Sequence, residues 1–584
     1  MNPTPRRSRR ELKVFVAGVV IGGLLGGLLG GAMAAEIIVN HPHFASRLRA
    51  ALLPGGPPAS SPTIAPGSLS DVTVRVDASA AGHAISPYIY GVSIADPDVL
   101  KALGATVDRW GGNPSTRYNW AYGNAWNAAR DWDFHNTNYG NPSGSVSDNF
   151  VRDAVASGSV PLITIPSIGW VAKNGDSSTQ SVQVPSQGGP PLSPGSSSIA
   201  GYDPTANRQL TSVPSYAKKP SAFTLDPSPT EAAVYQDEWV HELVQRFGVA
   251  PRGVGYFAID NEPDLWSTTQ TDVHPTRMSY DSMLANYEEY ATAVKAQDPT
   301  ALILGPDASG WTSYYYSDLD RGNDNFATHA DQNAHGGQPF LPWWLGQVAK
   351  ADQARGSRSL DLLDVHFYPQ AQGVFSDASD PATQALRIRS VHALFDPKYV
   401  DESWIATPVD LIPRLKQWIA QEYPGTGLAI TEYNWGGEKD ASGAVALAEV
   451  LGTFGREGVS LATYWSYPQP ASPAGAAFRL YRNFDGHGAS FGNVSLPVSS
   501  SANGVAAYAA RHSERRETDV ILVNEAGNQT AHVHLDLGVA SYGTATLFRV
   551  AGGSSDIVKS SLASASDSLT LPPYSLTLVR VAQS

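Results

Sequence analysis

Eight short apolar runs, each closed by a polar break, constrain this 584-residue chain more than any other feature. They occupy residues 88–93, 106–110, 161–166, 254–262, 301–305, 362–368, 428–433 and 461–465. Between several of them lie amphipathic stretches, such as 231–247 and 279–297, whose apolar residues recur every three or four positions. Strands that alternate with helices build parallel sheets, and eight such units over about 380 residues are enough to close a barrel. An open doubly wound sheet is the alternative. That fold favours a glycine-rich phosphate turn after its first strand, and none follows here. The expected class is α/β, a (β/α)8 TIM barrel.

A barrel opens the C-terminal ends of its strands onto one face, where side chains far apart in sequence converge. Arg109, Trp110, Asn261, Glu262, His366, Tyr368, Glu432, Tyr433 and Trp465 all stand at such ends. Glu262, in Asp260-Asn-Glu-Pro263, follows the fourth run; Glu432, in Thr431-Glu-Tyr433, ends the seventh. Alone, Glu262 reads as a solvated loop acid beside a proline. Two carboxyls facing one another across a barrel mouth are what glycosidic cleavage requires: one protonates the leaving oxygen and the other meets the developing oxocarbenium ion. In retaining enzymes they lie roughly 5–5.5 Å apart.

On this reading Glu262 is the acid/base, its pKa raised by apolar walls and by Glu432, which is the ionised nucleophile. Tyr368 or Arg109 orients Glu432, and Asn261 bonds a sugar 2-hydroxyl. Trp435 and Trp465 stack on sugar faces, while Trp110, His366 and Tyr433 are further candidates for substrate contact. Blander readings stand beside these: Arg109 as a structural ion pair, His366 as a hydrogen-bonded rim residue, Trp465 as core. Trp126, Trp132, Trp170, Trp311 and Trp343 read as packing. The oxygen-rich stretch 318–325 lacks the spacing of an EF-hand and reads as a solvated loop rather than a calcium site, so no metal or cofactor is expected.

Beyond residue 485 the pattern changes to apolar–polar alternation at 520–524, 531–537, 544–550 and 569–581, the mark of a small antiparallel β-sandwich. Residues 71–77 (DVTVRVD) alternate in the same way and are expected to pair into it. At the other end, Arg6, Arg7, Arg9, Arg10 and Lys13 precede an uncharged stretch, 14–35, that ends in small residues. It reads as an export signal, with a twin-arginine character, or as a membrane anchor. A proline-rich tether follows. The expected divisions are 1–35 signal or anchor, 36–70 linker, 71–84 first sandwich strand, 85–485 barrel and 486–584 sandwich.

A net charge of −14 argues against a nucleic-acid partner. Fourteen tryptophans among only 16 % charged residues suit neutral ring-shaped ligands. With no cysteine, disulfides and thiol chemistry are excluded.

In these residues the chain resembles glycoside hydrolase family 44, from about residue 71 to the C-terminus. The likeness is carried by Arg109-Trp-Gly-Gly-Asn113 with Tyr118-Asn-Trp120, Val234-Tyr-Gln-Asp-Glu-Trp239 and Asp260-Asn-Glu-Pro263 with Leu265-Trp266. His335-Gly-Gly337 with Pro339-Phe-Leu341, Leu363-Asp-Val-His366, Asp401-Glu-Ser-Trp404, Ile430-Thr-Glu-Tyr-Asn434 and Tyr481-Arg-Asn-Phe-Asp485 continue it. The resemblance implies a barrel with a β-sandwich, a retaining mechanism and endo-action on β-1,4-glucans including xyloglucan. It maps the acid/base to Glu262 and the nucleophile to Glu432. The expectation is an exported, monomeric retaining endo-glucanase or xyloglucanase whose partner is the polysaccharide. The alternatives are the same mechanism on mannan or xylan, with the 174–219 loop deciding, or a non-catalytic glycan-binding protein anchored at the cell surface through residues 14–35.

Overall fold

The computed structural model describes residues 69–582, apart from 124, 128–135, 139–144, 174–201, 204–207, 210–211, 226–230, 271–272, 323, 539–543 and 564–567. The signal or anchor and almost all of the linker therefore lie outside the described residues. Among the described residues no helix is long and apolar enough to cross a membrane.

Each of the eight runs forms a strand: β1 (Gly91–Ser93), β2 (Val107–Trp110), β3 (Val160–Ile165), β4 (Tyr256–Ile259), β5 (Leu302–Ala308), β6 (Leu362–Phe367), β7 (Gly427–Tyr433) and β8 (Leu461–Tyr464). They close into one barrel whose neighbours all run parallel. A helix follows each strand: α1 (Pro97–Leu103), α2 (Ser145–Ala156), α3 (Gln236–Phe247), α4 (Tyr280–Gln297), α5 (Phe340–Arg355), α6 (Leu411–Glu422), α7 (Ala441–Glu457) and α8 (Pro473–Arg482). The strands are short because they are buried on both faces. Val107, Leu162, Tyr256, Ala258, Leu304, Leu362, Ala429 and Leu461 fill the barrel, and the alternate residues pack outward on the helices. Helix starts use local chemistry: Ser279 caps α4 by accepting from the Ser282 amide, and Ser472 caps α8 by accepting from the Gly475 amide.

The second layer is two packed sheets. Strand Val72–Val76 sits between Val498–Ser500 and Ala531–Asp536 in a four-stranded sheet, antiparallel to the first and parallel to the second. Seven strands make the other sheet, including a short one at His83–Ala84. Alternating valines and leucines from both sheets form the sandwich core.

Helix α7 joins the two units. It is buried on every side from Ser442 to Gly455 and mostly apolar there (ASGAVALAEVLGTFGRE), as a helix covered all round tends to be. Gly452 lets it approach the sandwich, since a Cβ there would stand 2.4 Å from the Tyr508 ring. Barrel and sandwich thus share one continuous core that includes Leu451, Phe454, Tyr508, Ile521 and Leu578.

Candidate active site

Two β-bulges aim the acids into the barrel mouth. On β5 the register shifts between Pro306 and Ala308, leaving Asp307 as an extra residue with φ 58°. On β7 it shifts again: Val365 stands opposite Ile430, but His366 stands opposite Glu432. Ala429 and Thr431 face the barrel interior, so strict alternation would send Glu432 outward to the helices. The extra residue turns it in. Glu262 needs no bulge. It lies just past β4 with φ 47°, a left-handed conformation that ends the strand and leads into the turn at Pro263.

The two glutamates meet over a buried polar floor. Arg109 Nη1 donates to Glu432 Oε1 at 2.8 Å, and the Tyr368 hydroxyl donates to Glu432 Oε2 at 2.8 Å. Arg109 Nη2 donates to Asn261 Oδ1 at 2.9 Å and lies 3.5 Å from Asp307 Oδ2. Asn261 Oδ1 also accepts from the Gly112 amide at 3.0 Å. His366 Nδ1 is 2.8 Å from Glu262 Oε1 and 3.6 Å from Glu432 Oε2. Its Nε2 makes a close, off-axis ion-pair contact of 2.6 Å with Asp307 Oδ1. One oxygen of each glutamate and a ring nitrogen of His366 all lie within 4.8 Å of one another. Below them Asp364 accepts twice from Thr431 Oγ1, at 2.8 Å to each oxygen. Arg109, Asp307 and His366 are fully buried, whereas Glu262 keeps 16 % and Glu432 8 % of its side chain exposed. Of the carboxylates, histidine and arginine in this cluster, only the two glutamates therefore reach the opening, beside the partly exposed Tyr368.

Burial pushes Glu262 up to about 7; its bond to His366 draws it back, while the Glu432 and Asp264 charges add to it. Burial and the Asp307 charge hold Asp364 at about 8 against the pull of His366 and Arg109. Burial would lower His366, but Glu432 and Asp307 outweigh it and keep the ring well above the ordinary histidine range. Burial would raise Asp307, yet His366 and Arg109 hold it below the usual carboxylate range. Below pH 7 the cluster is then close to neutral. Arg109 and His366 oppose Asp307 and Glu432, and Glu262 and Asp364 carry protons. Such an arrangement pairs one protonated carboxyl with a second carboxyl held by a guanidinium and a phenol, the kind of unequal pair that acid-assisted displacement can use.

A profile of glycoside hydrolase family 44 matches residues 125–371. The solved structure of CelM2, a bifunctional glucanase-xylanase protein from a metagenome library, is 35 % identical; the match covers 88 % of this chain and 99 % of that one, with a TM-score of 0.76. The chain belongs to glycoside hydrolase family 44. A family 44 xyloglucanase from Paenibacillus polymyxa, solved with xyloglucan, matches at 29 % identity and TM-score 0.78, covering 88 % of this chain and all of that one (100 %). Endoglucanase A of Paenibacillus lautus is 33 % identical over 492 residues, 78 % of this chain and 64 % of that protein. The chain spans less than two thirds of the length of the curated relatives it matches.

Of the residues expected at the family 44 site, Arg109, Asn261, Glu262, His366, Tyr368, Glu432 and Trp465 do come together. His366 is no rim residue, being fully buried. Trp465 stands at the mouth, in a small cluster with Ile94 and Tyr368 apart from the main core. Its ring lies 5.5 Å from the Arg109 guanidinium and covers Gly112, where a Cβ would come within 2.5 Å of it at φ 83°.

Three expected contacts do not reach the mouth. Trp110 follows Arg109 and so points the opposite way, into Tyr118 and Phe150. Tyr433 is turned out by the bulge that turns Glu432 in, and packs on Phe454 and Tyr464. Trp435 is buried against Phe367, with its indole N–H on Ser390.

Asp307 and Asp364 escaped the reading from sequence. Asp364 carried a signal, since it sits two residues before His366 and must share its face. Trp311 and Trp343 are buried, as packing residues should be, and Trp170 is partly buried; the side chains of Trp126 and Trp132 lie outside the described residues. The 318–325 stretch is not a solvated loop throughout. Asp318 pairs with Arg277 and Arg321, and Asp320 accepts from the Asp331 and Gln332 amides.

Proposed function

We propose that this chain is a retaining glycoside hydrolase that cuts within β-1,4-glucan chains, xyloglucan included. Glu262 protonates the glycosidic oxygen while Glu432 attacks the anomeric carbon. Glu262 then deprotonates the water that releases the glycosyl-enzyme. The observation that carries this is the closeness of the two glutamates, within 4.8 Å, combined with their unequal surroundings. A water-activating, inverting pair needs roughly 6.5–9.5 Å between carboxyls. Asn261, held by Arg109 and the Gly112 amide, would bond the sugar 2-hydroxyl, and Trp465 would offer an indole face at the mouth. Export and action as a monomer complete the proposal: the basic flank and apolar stretch of residues 6–35 support the first, since a polymer substrate is met outside the cell.

The test is reducing-end release from xyloglucan, carboxymethyl-cellulose, mannan and xylan by the full chain, beside Glu262→Gln and Glu432→Gln. Activity on the glucans that falls by roughly four orders of magnitude or more in both variants supports the reaction and both roles. Azide added to Glu432→Gly should yield an α-glycosyl azide, and added to Glu262→Gly a β-glycosyl azide. The reverse pairing would exchange the two roles. The likeness to a bifunctional glucanase-xylanase favours a second reading, in which xylan is also cut. Turnover of mannan or xylan alone would keep the mechanism and overturn the glucan preference.

A further inference from the structure

We infer that His366, braced by Asp307, is a positioning residue that serves Glu262 and Glu432 in turn, staying beside their single negative charge as it passes from one to the other. This rests on the double displacement proposed above.

The ring of His366 has two acidic neighbours at Nδ1 and one at Nε2. Nδ1 faces Glu262 Oε1 at 2.8 Å and Glu432 Oε2 at 3.6 Å. Nε2 faces Asp307 Oδ1 at 2.6 Å, with Arg109 Nη2 3.4 Å away and aimed at the same carboxylate. The Tyr314 hydroxyl holds the His366 carbonyl and so fixes the strand beneath the ring. The charged and titratable groups facing His366 are therefore Arg109 from β2, Glu262 after β4, Asp307 from β5, Asp364 from its own strand and Glu432 from β7. The carboxylate oxygen bonded at Nδ1 and the Asp307 carboxylate in ion-pair contact with Nε2 together favour the doubly protonated ring, the imidazolium. Asp307 opposite Nε2 secures that state.

Two consequences follow for the reaction. First, with Nδ1–H on Oε1, the proton of neutral Glu262 must sit on Oε2, the oxygen left free for the substrate. Second, glycosylation moves charge. The Glu262 proton goes to the glycosidic oxygen, the C1–O bond breaks, and Glu432 bonds to C1, so the anion passes from Glu432 to Glu262. In the second half water gives its proton to Glu262, its oxygen bonds to C1 and the ester to Glu432 breaks, so the anion returns. Throughout, the imidazolium needs no displacement larger than the difference between 2.8 and 3.6 Å to favour whichever carboxylate is charged. A fixed cation of this kind costs no reorganisation at the moment of reaction.

The experiment uses the full chain with 15N-labelled histidine, together with His366→Gln and the isosteric Asp307→Asn. In the unaltered protein both His366 nitrogens should remain protonated from pH 5 to 8. In Asp307→Asn the ring should lose a proton within that range. In His366→Gln the alkaline limb of the kcat/KM profile on a soluble xyloglucan should move up by about one pH unit or more, because the cation that eases ionisation of Glu262 is gone. Its rate at neutral pH should fall at least about 10-fold. A His366 that is neutral at pH 7 in the unaltered protein overturns the inference. So does a uniform drop in rate with unmoved limbs in both variants, which is what a purely structural ring would give. If the unaltered protein turns over no glucan, the proposed reaction fails and takes the inference with it. Turnover with unmoved limbs removes the inference alone.

Discussion

Glu432 receives one donor on each oxygen, the Arg109 guanidinium on Oε1 and the Tyr368 phenol on Oε2. The Tyr368 hydroxyl is kept protonated by burial and by the Glu432 charge, so it donates to the carboxylate. Tyr368→Phe removes that bond and leaves Arg109 in place. The expected result is a fall in kcat of about 10²-fold with KM nearly unchanged, the magnitude typical of losing one preorganised donor. Steady-state kinetics on xyloglucan oligosaccharides measure it. A change confined to KM would mean that Tyr368 holds sugar rather than nucleophile. The glutamates themselves were legible because each stands beside a break in an apolar run. Arg109 and Trp110 were legible only as a pair, and period-two alternation already forbids both from facing inward. Asp307 was hidden by Pro306, which reads as the end of the run although the strand continues through it.

At the scale of elements, the eight strands could be read because buried strands are short, apolar and bounded. The bulges could not. A bulge is one extra residue, and its effect on facing appears only when the neighbouring strand is in register beside it. That is why Glu432 and Tyr433 exchange the faces simple alternation would give them. The sandwich was legible where its strands alternate cleanly, as Ala531–Asp536 does, whereas Glu517–Asn524 and Ser575–Ala582 are buried on both faces. Strand Val72–Val76 is the longest-range element, separated by more than 400 residues from both partners. Its Val72, Val74 and Val76 are buried to 2 % exposure or less. Together they supply roughly 5 to 9 kcal/mol of burial, comparable to the whole stability of a domain. A chain started at residue 80 should therefore aggregate or melt at least about 10 °C lower, whereas one started at 69 should match the full chain. Equal melting temperatures for the two truncations would show that the four-stranded sheet tolerates the loss of its central strand.

For the whole molecule, the buried acids set how stability depends on pH. Glu262 and Asp260 are raised to about 7, and Asp364 and Glu242 to about 8, in each case mainly by burial. Unfolded, such groups release their protons near pH 4; folded, they hold them until pH 7 or 8. The folded state thus binds more protons across that interval, so its stability is fully present near pH 4 and is lost as pH rises through 8. His366, raised above its unfolded value, acts in the same direction above about pH 6.5. Asp307 and Asp352, held low, act oppositely but only as pH falls below about 4. The formal charge of −14 adds self-repulsion that also grows with pH. Calorimetry should therefore find a melting temperature at pH 8 lower than at pH 5 by at least about 3 °C. Glu242→Gln separates burial from net charge. Glu242 lies on α3, away from the mouth, beside Arg246 and with Asp148 adding to its raised pKa. Replacing it removes one proton-binding difference, so the melting temperature should rise at pH 8 and hardly change at pH 5. A protein that melts equally at both pH values, or higher at pH 8, would mean that the buried acids ionise without cost and that the polar floor of the barrel is wetter than its burial implies.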